Sequence, residues 1–138
     1  IIYITKKIDN KNLILQSFPN LYNENKIIAM NFYNYHINLI KKLNDKIDNF
    51  NGDIYLFGGT GFSIYLIVFG LNTDKIIFIL DNDKEKEDKK VYGTNFIVKN
   101  PSIIKDKSNV AVIVKAASYQ QEIEKQLYTL NKNVLILT

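Results

Sequence analysis

The sequence predicts an α/β domain of the Rossmann-like, doubly wound type: a mostly parallel sheet of about five strands, helices on both faces, and an amphipathic helix ahead of it. Three observations lead there. The runs at residues 53–57 (DIYLF), 75–80 (KIIFIL) and 110–114 (VAVIV) are almost continuously apolar, the pattern of strands buried on both faces. From Asp53 onward such runs alternate with helical segments, as a parallel sheet with right-handed crossover helices requires. The first run feeds a glycine-rich turn, Gly58-Gly59-Thr60-Gly61, that opens a helix. In these folds the ligand crevice lies outside the carboxyl ends of the strands, where such a turn sits.

Taken in order, residues 1–5 (IIYIT) and 13–18 (LILQSF) are β-like, with the turn-rich cluster Asp9-Asn10-Lys11-Asn12 between them. They can pair as a hairpin, which needs something to pack on. Pro19-Asn20 breaks that pattern. Residues 27–50 read as an amphipathic helix, because Tyr33, Ile37, Ile40, Leu43, Ile47 and Phe50 recur at spacings of three and four. Asn49, Asn51 and Gly52 stop it. Beyond the glycine turn, residues 62–69 form a very apolar helix ending at Gly70. A charged loop spans 81–90, residues 91–98 carry a short strand ending before Pro101, residues 118–131 form a helix with Ser118 as its N-cap, and residues 134–137 form the last strand. The organisation expected is residues 1–26 as a β-like segment, 27–52 as a linker helix and 53–138 as the Rossmann-like domain.

A chain of 138 residues, 46% hydrophobic and 23% charged, fits one globular domain. Its first residue is Ile, already in strand-like sequence, so a piece of a longer polypeptide is expected. The absence of cysteine excludes disulfides, thiolate metal sites and cysteine nucleophiles. A single histidine, His36, leaves a metal site dependent on carboxylates. No apolar run approaches the ~20 residues of a membrane span, and no signal peptide is present, so a cytoplasmic location without membrane contact is expected. The net charge of +4 comes from lysines alone, scattered and mixed with acids. Without a guanidinium fork, specific nucleic-acid recognition is not expected.

Three places can carry chemistry. The turn FGGTGFS brings backbone N–H groups to a positive helix end, where a phosphate or other anion can sit, and Thr60 adds a hydroxyl. Gly59-x-Gly61-x-x-Ile64 keeps two glycines of the dinucleotide fingerprint and has Ile in place of the third; a tight turn with no ligand accounts for the glycines equally well. Asp81 ends the second long strand, where dinucleotide-binding folds place an acid on a ribose hydroxyl, and it also suits a plain turn. Lys115-Ala116-Ala117-Ser118-Tyr119 lies between a buried strand and a helix, either flanking a ligand or merely connecting the two. His36, beside the apolar stripe, reads as a packed histidine. No Ser-His-Asp set, HExxH or Walker loop is present.

The same residues resemble the C-terminal domain of sugar C-methyltransferases and related S-adenosylmethionine-dependent enzymes. That domain has an aromatic-Gly-Ala stretch after a strand, here Phe57-Gly58-Gly59. It then has an aspartate ending the second strand, a lysine five positions on and a Gly-Thr pair, here Asp81, Lys86 and Gly93-Thr94. A helix opening in Glu-Ile follows, here Glu122-Ile123. The ordered set runs from about Asp53 to Leu137. Departures are Phe62 for a lysine, Asp88 for a glycine, Tyr92 for a proline, and Ala116-Ala117 for a small-aromatic pair.

The resemblance implies a substrate-side domain that is not catalytic alone. Gly58, Gly59, Thr60, Gly61, Asp81, Lys86, Lys115, Ser118 and Tyr119 would face a sugar or nucleotide-sugar, and no metal is implied. S-adenosylmethionine would bind an earlier donor-binding domain of the parent chain, whose tail residues 1–26 would be, and the chain itself would bind no cofactor. The family's general base, from a Tyr-x-Glu-His segment, also belongs to that earlier domain; Tyr33-Asn34-Tyr35-His36 stands too close to this domain to be it. Two other readings remain: a stand-alone nucleotide-sugar binding module and a structural interaction domain.

Overall fold

The structure, a computed structural model, describes residues 19–138. The strand pair expected within residues 1–18 lies outside the described residues. Five parallel strands, β1 (Asp53–Phe57), β2 (Ile76–Leu80), β3 (Val98–Lys99), β4 (Val110–Ile113) and β5 (Leu135–Leu137), form one sheet in the order β3-β2-β1-β4-β5. Among the described residues three α-helices accompany it: α1 (Tyr22–Asn49), α2 (Gly61–Val68) and α3 (Gln120–Leu130).

Strand β1 is central because it can be covered on both faces. Ile54 and Leu56 join Ala111 and Ile113 of β4 in a core closed by Leu43 and Ile47 of α1 and Leu66 of α2. On the opposite face Tyr55 and Phe57 join Val110 and Val112, closed by Ile123 and Leu127 of α3 and by Ile104 of a short 3-10 turn. The alternation along each strand thus serves two cores, which is why these strands read as continuous apolar runs. The chain winds outward from β1 through β2 to β3, then returns across the sheet to start β4 on the other side of β1. The strand order therefore reverses between β1 and β4, and the crevice of a doubly wound sheet opens there.

Helix α1 starts five residues before the expected 27 and ends at Asn49. Only Ile40, Leu43 and Ile47 of the helix are buried, whereas Tyr33 and Ile37 are exposed. The helix overhangs the sheet, and its apolar stripe outruns the surface available to cover it. Its packed end is pinned by polar contacts: Asn44 Nδ2 donates to Gly70 O at 3.0 Å and Asn44 Oδ1 accepts from Asn72 N at 2.7 Å. Lys75 Nζ donates to the carbonyls of Ile47, Asp48 and Phe50, satisfying acceptors that the helix terminus leaves open.

Two local expectations change. The strand expected within 91–98 shrinks to Val98–Lys99, because the chain doubles back at Gly93 (φ 74°), bridging Lys90 to Ile97. Residues spent on that reversal cannot extend along β2. Ser118 is not the N-cap of α3; it lies exposed in a 3-10 turn, Ala117–Tyr119, and the helix starts at Gln120. The turn is held by the amide of Gln120, whose Oε1 accepts from Ala116 N at 3.0 Å while Nε2 donates to Val114 O at 3.2 Å. A long amide reaching back one turn does the work expected of a short hydroxyl.

Candidate functional site

A hollow of about 290 Å³ opens at the carboxyl ends of β1 and β4, where the strand order reverses. Phe57, Gly58, Thr60 and Phe62 line it from the glycine turn, Asp81 and Lys86 from the loop after β2, and Lys115, Ala116, Tyr119 and Ile123 from the segment leading into α3. Six of the nine site residues expected from sequence, Gly58, Thr60, Asp81, Lys86, Lys115 and Tyr119, are thus brought together from three separate loops. The other three stand apart. Gly59 packs beneath the turn, Gly61 faces a second cavity on the α1 side, and Ser118 points to solvent.

The glycine turn is shaped by its neighbours. Gly58 has φ 103°, a backbone conformation that side chains disfavour, and its N–H donates to Leu80 O at 2.7 Å, which tethers the turn to the end of β2. Gly59 donates its N–H to Asp81 Oδ2 at 2.7 Å. A methyl group on Gly59 would lie 3.1 Å from both that oxygen and Val98 Cγ2. Glycine at 59 therefore permits close approach to β2 and β3.

Asp81 is fully engaged by the protein. Oδ2 accepts from Gly59 N and from Lys86 Nζ at 3.1 Å, and Oδ1 accepts from Asp83 N at 2.9 Å. Lys86 Nζ also lies 3.6 Å from Asp83 Oδ2, so two carboxylates neutralise it. Lys115, half-buried on the opposite wall, has no hydrogen bond or ion pair among the described residues. The positive charge of the hollow is therefore concentrated on Lys115. Beside it Ala117 adopts φ 46°, a left-handed conformation that costs a non-glycine residue roughly 1–2 kcal/mol. Strain of this kind clusters at ligand-binding turns.

Most of the floor of the hollow was not legible as a site. Phe57 and Ile123 are apolar and buried, so in sequence they are indistinguishable from core, whereas Ala116 lies in the segment that the sequence leaves open as flanking a ligand. Phe62, almost half-exposed at the first turn of α2, could have been found, because a large ring placed just after a glycine turn has no core position to fill.

The second cavity, of about 460 Å³, lies between α1 and α2 and is lined by Phe32, His36, Thr60, Gly61, Phe62 and Tyr65. His36 packs edge-on to Tyr65 at 5.0 Å and against Phe32 at 4.2 Å. Its Nδ1 is 2.7 Å from Phe32 O; since a carbonyl only accepts, Nδ1 carries the proton. Burial pushes the Tyr65 phenol above its usual range, and its hydroxyl has no hydrogen-bond partner among the described residues. His36 is thus the packed histidine that the sequence suggested. Among the described residues no group of three or more His, Asp or Glu could hold a metal ion. No helix among them is long and apolar enough to cross a membrane.

Fold and hollow together define a Rossmann-like α/β domain with an open switch-point crevice. No family model, curated protein or solved structure matches the chain.

Proposed function

We propose that the domain binds a sugar or nucleotide-sugar at the switch-point crevice and presents it to a methyl-donor domain elsewhere in the parent polypeptide. One observation carries this reading. Six of the nine residues that the resemblance sets against a substrate, Gly58, Thr60, Asp81, Lys86, Lys115 and Tyr119, come from three loops and line a single hollow where doubly wound sheets bind ligands. Lys115 is the cation that meets a ligand phosphate, because Lys86 is already neutralised by Asp81 and Asp83. The N–H groups opening α2 add a second anion contact. Phe62 and Tyr119, both exposed rings at the rim, supply flat surfaces for a sugar or base. Asp81 acts through Gly59 by holding the turn in shape, and no catalytic residue is assigned to this chain.

Saturation-transfer NMR against a panel of nucleotide sugars tests the proposal. The expected result is signal from at least one member, lost in Lys115→Ala and retained in Lys86→Ala. Silence from the whole panel would overturn it in favour of a structural domain. By calorimetry the chain should bind neither S-adenosylmethionine nor its demethylated product. Tight binding of either would sink the division of labour between domains.

A further inference from the structure

Apart from the contacts of Tyr33 and His36 with Tyr65 and Phe69, the first half of α1 is an apolar surface that nothing among the described residues covers. From Ile27 to Ile40 the helix contains no Asp, Glu, Lys or Arg, whereas five charged residues follow between Lys41 and Asp48. At about 100° per residue, Ile28, Phe32 and Tyr35 form one apolar flank and Met30, Tyr33 and Ile37 the other. Between those flanks lie Tyr22, Ala29 and His36. On the far side run Asn31, Asn34 and Asn38. The apolar arc points the same way as Ile40, Leu43 and Ile47, which pack on the sheet one turn later. Ahead of Ile40 the sheet ends and the arc continues.

The exposed area is too large for a free surface. Tyr22, Ile28, Met30, Phe32, Tyr33 and Tyr35 are 50–66% exposed. At roughly 200 Å² for a whole large side chain, these six alone offer about 700 Å². The largest apolar patch on a typical monomer is ~300–600 Å², and each side of a standard protein interface buries ~800 Å².

We infer that this face is a two-fold interface between copies of this chain, in which the two α1 helices pair antiparallel about Ala29. Three features of the molecule select a second copy in that orientation. Ala29 is the small residue in the middle of the arc, where two helices can approach closely. A parallel pair joined through the same arc would drive both sheets into one space, because the arc is occupied by the sheet from Ile40 onward. In the antiparallel pair the partner helix ends just where the sheet begins. That register also sets Tyr22, seven residues before Ala29, against His36, seven residues after it. His36 lines the 460 Å³ cavity with Phe32 and Phe62, so Tyr22 of a second copy has an aromatic cavity to enter. The contact is self-complementary and closed, as a two-fold dimer requires. It is independent of the ligand reading.

The cysteine-free chain makes the test direct. Sedimentation of the 138-residue chain should show a dimer. Oxidation of an Ala29→Cys variant should give a covalent dimer, whereas Tyr128→Cys, exposed on α3 across the sheet from α1, should not. Tyr22→Ala should weaken the dimer about 30-fold or more, the loss typical of a hot-spot anchor, with circular dichroism unchanged because Tyr22 is itself 65% exposed. A monomer at all accessible concentrations would overturn the inference, and would leave the arc to another segment or partner. A dimer that crosslinks through Asn23→Cys instead of Ala29→Cys would overturn the antiparallel pairing.

Discussion

Replacing Asp81 with alanine separates its structural work from its place at the crevice. Three donors lose their acceptor at once: Gly59 N–H at 2.7 Å, Asp83 N–H at 2.9 Å and Lys86 Nζ at 3.1 Å. They do not count equally. The Gly59 bond is part-buried and made to a charge, which sets its loss at about 2 kcal/mol. Asp83 N–H is exposed, so water replaces the carboxylate for roughly 0.5 kcal/mol. The Lys86 side chain is 32% exposed, and a pair of that kind contributes less than about 1 kcal/mol. The sum is about 3 kcal/mol, equivalent to a drop of roughly 9 °C in Tm for a domain of this size. Asp81→Asn keeps an oxygen for Gly59 N–H and loses mainly the ion pair, so about 1 kcal/mol is expected. Urea unfolding with thermal melts measures both, and amide exchange at Gly59 should quicken only in the alanine variant. If Asp81→Ala stays within about 0.5 kcal/mol of the parent, or if asparagine is as damaging as alanine, the carboxylate does not hold the turn.

Other perturbations follow from the same geometry. Ala117→Gly removes a left-handed strain of ~1–2 kcal/mol against a glycine entropy cost of ~0.5–1 kcal/mol, so a Tm rise of about 2 °C is expected by calorimetry. Asn131, buried, donates through Nδ2 to Ile104 O at 2.7 Å and Lys107 O at 2.8 Å, so Asn131→Ala takes the side-chain donor from Lys107 O, leaves Ile104 O only the Lys107 N–H, and should cost about 2 kcal/mol in urea unfolding. Burial raises the Tyr55 phenol above its ordinary value of 10.0, and the hydrogen bond that Lys107 donates to Asp53 raises Lys107 above 10.5. Both groups hold their protons more tightly when folded, so this stability is intact at neutral pH and is lost as pH climbs past those values. Urea midpoints should therefore fall on the alkaline side.

What could be read in the sequence follows from how each element is stabilised. Strands β1, β2 and β4 are buried on at least one face along nearly their whole length, so hydrophobicity alone marks them within a residue or two. Helix α1 shows where that signal stops. Its periodicity names a face correctly, but Tyr33 and Ile40 carry the same signal while one is exposed and the other buried. Periodicity records which way a side chain points, not how far the body of the domain reaches along the helix. The N-terminal turn of α3 shows a different limit. A serine ahead of a helix is the usual cap, yet Gln120 closes the turn because Ala117 has already turned the chain the other way.

The glycine turn is the place where both kinds of information meet. Three of its features are local and visible in the chain: the strand before it, the three glycines and the helix after it. Its use depends on residues far away in sequence. Asp81 locks Gly59, and Asp81 with Asp83 also neutralises Lys86, so an acid and a lysine that look like a ligand pair in sequence mostly serve each other. That mutual pairing leaves Lys115, across the reversal of strand order, as the crevice cation with no partner among the described residues. The wall of the crevice that looks richest in function is thus its scaffold. The charge available to a ligand stands on the opposite wall, next to the strained Ala117, in a segment that the sequence alone leaves open between a ligand contact and a plain connection.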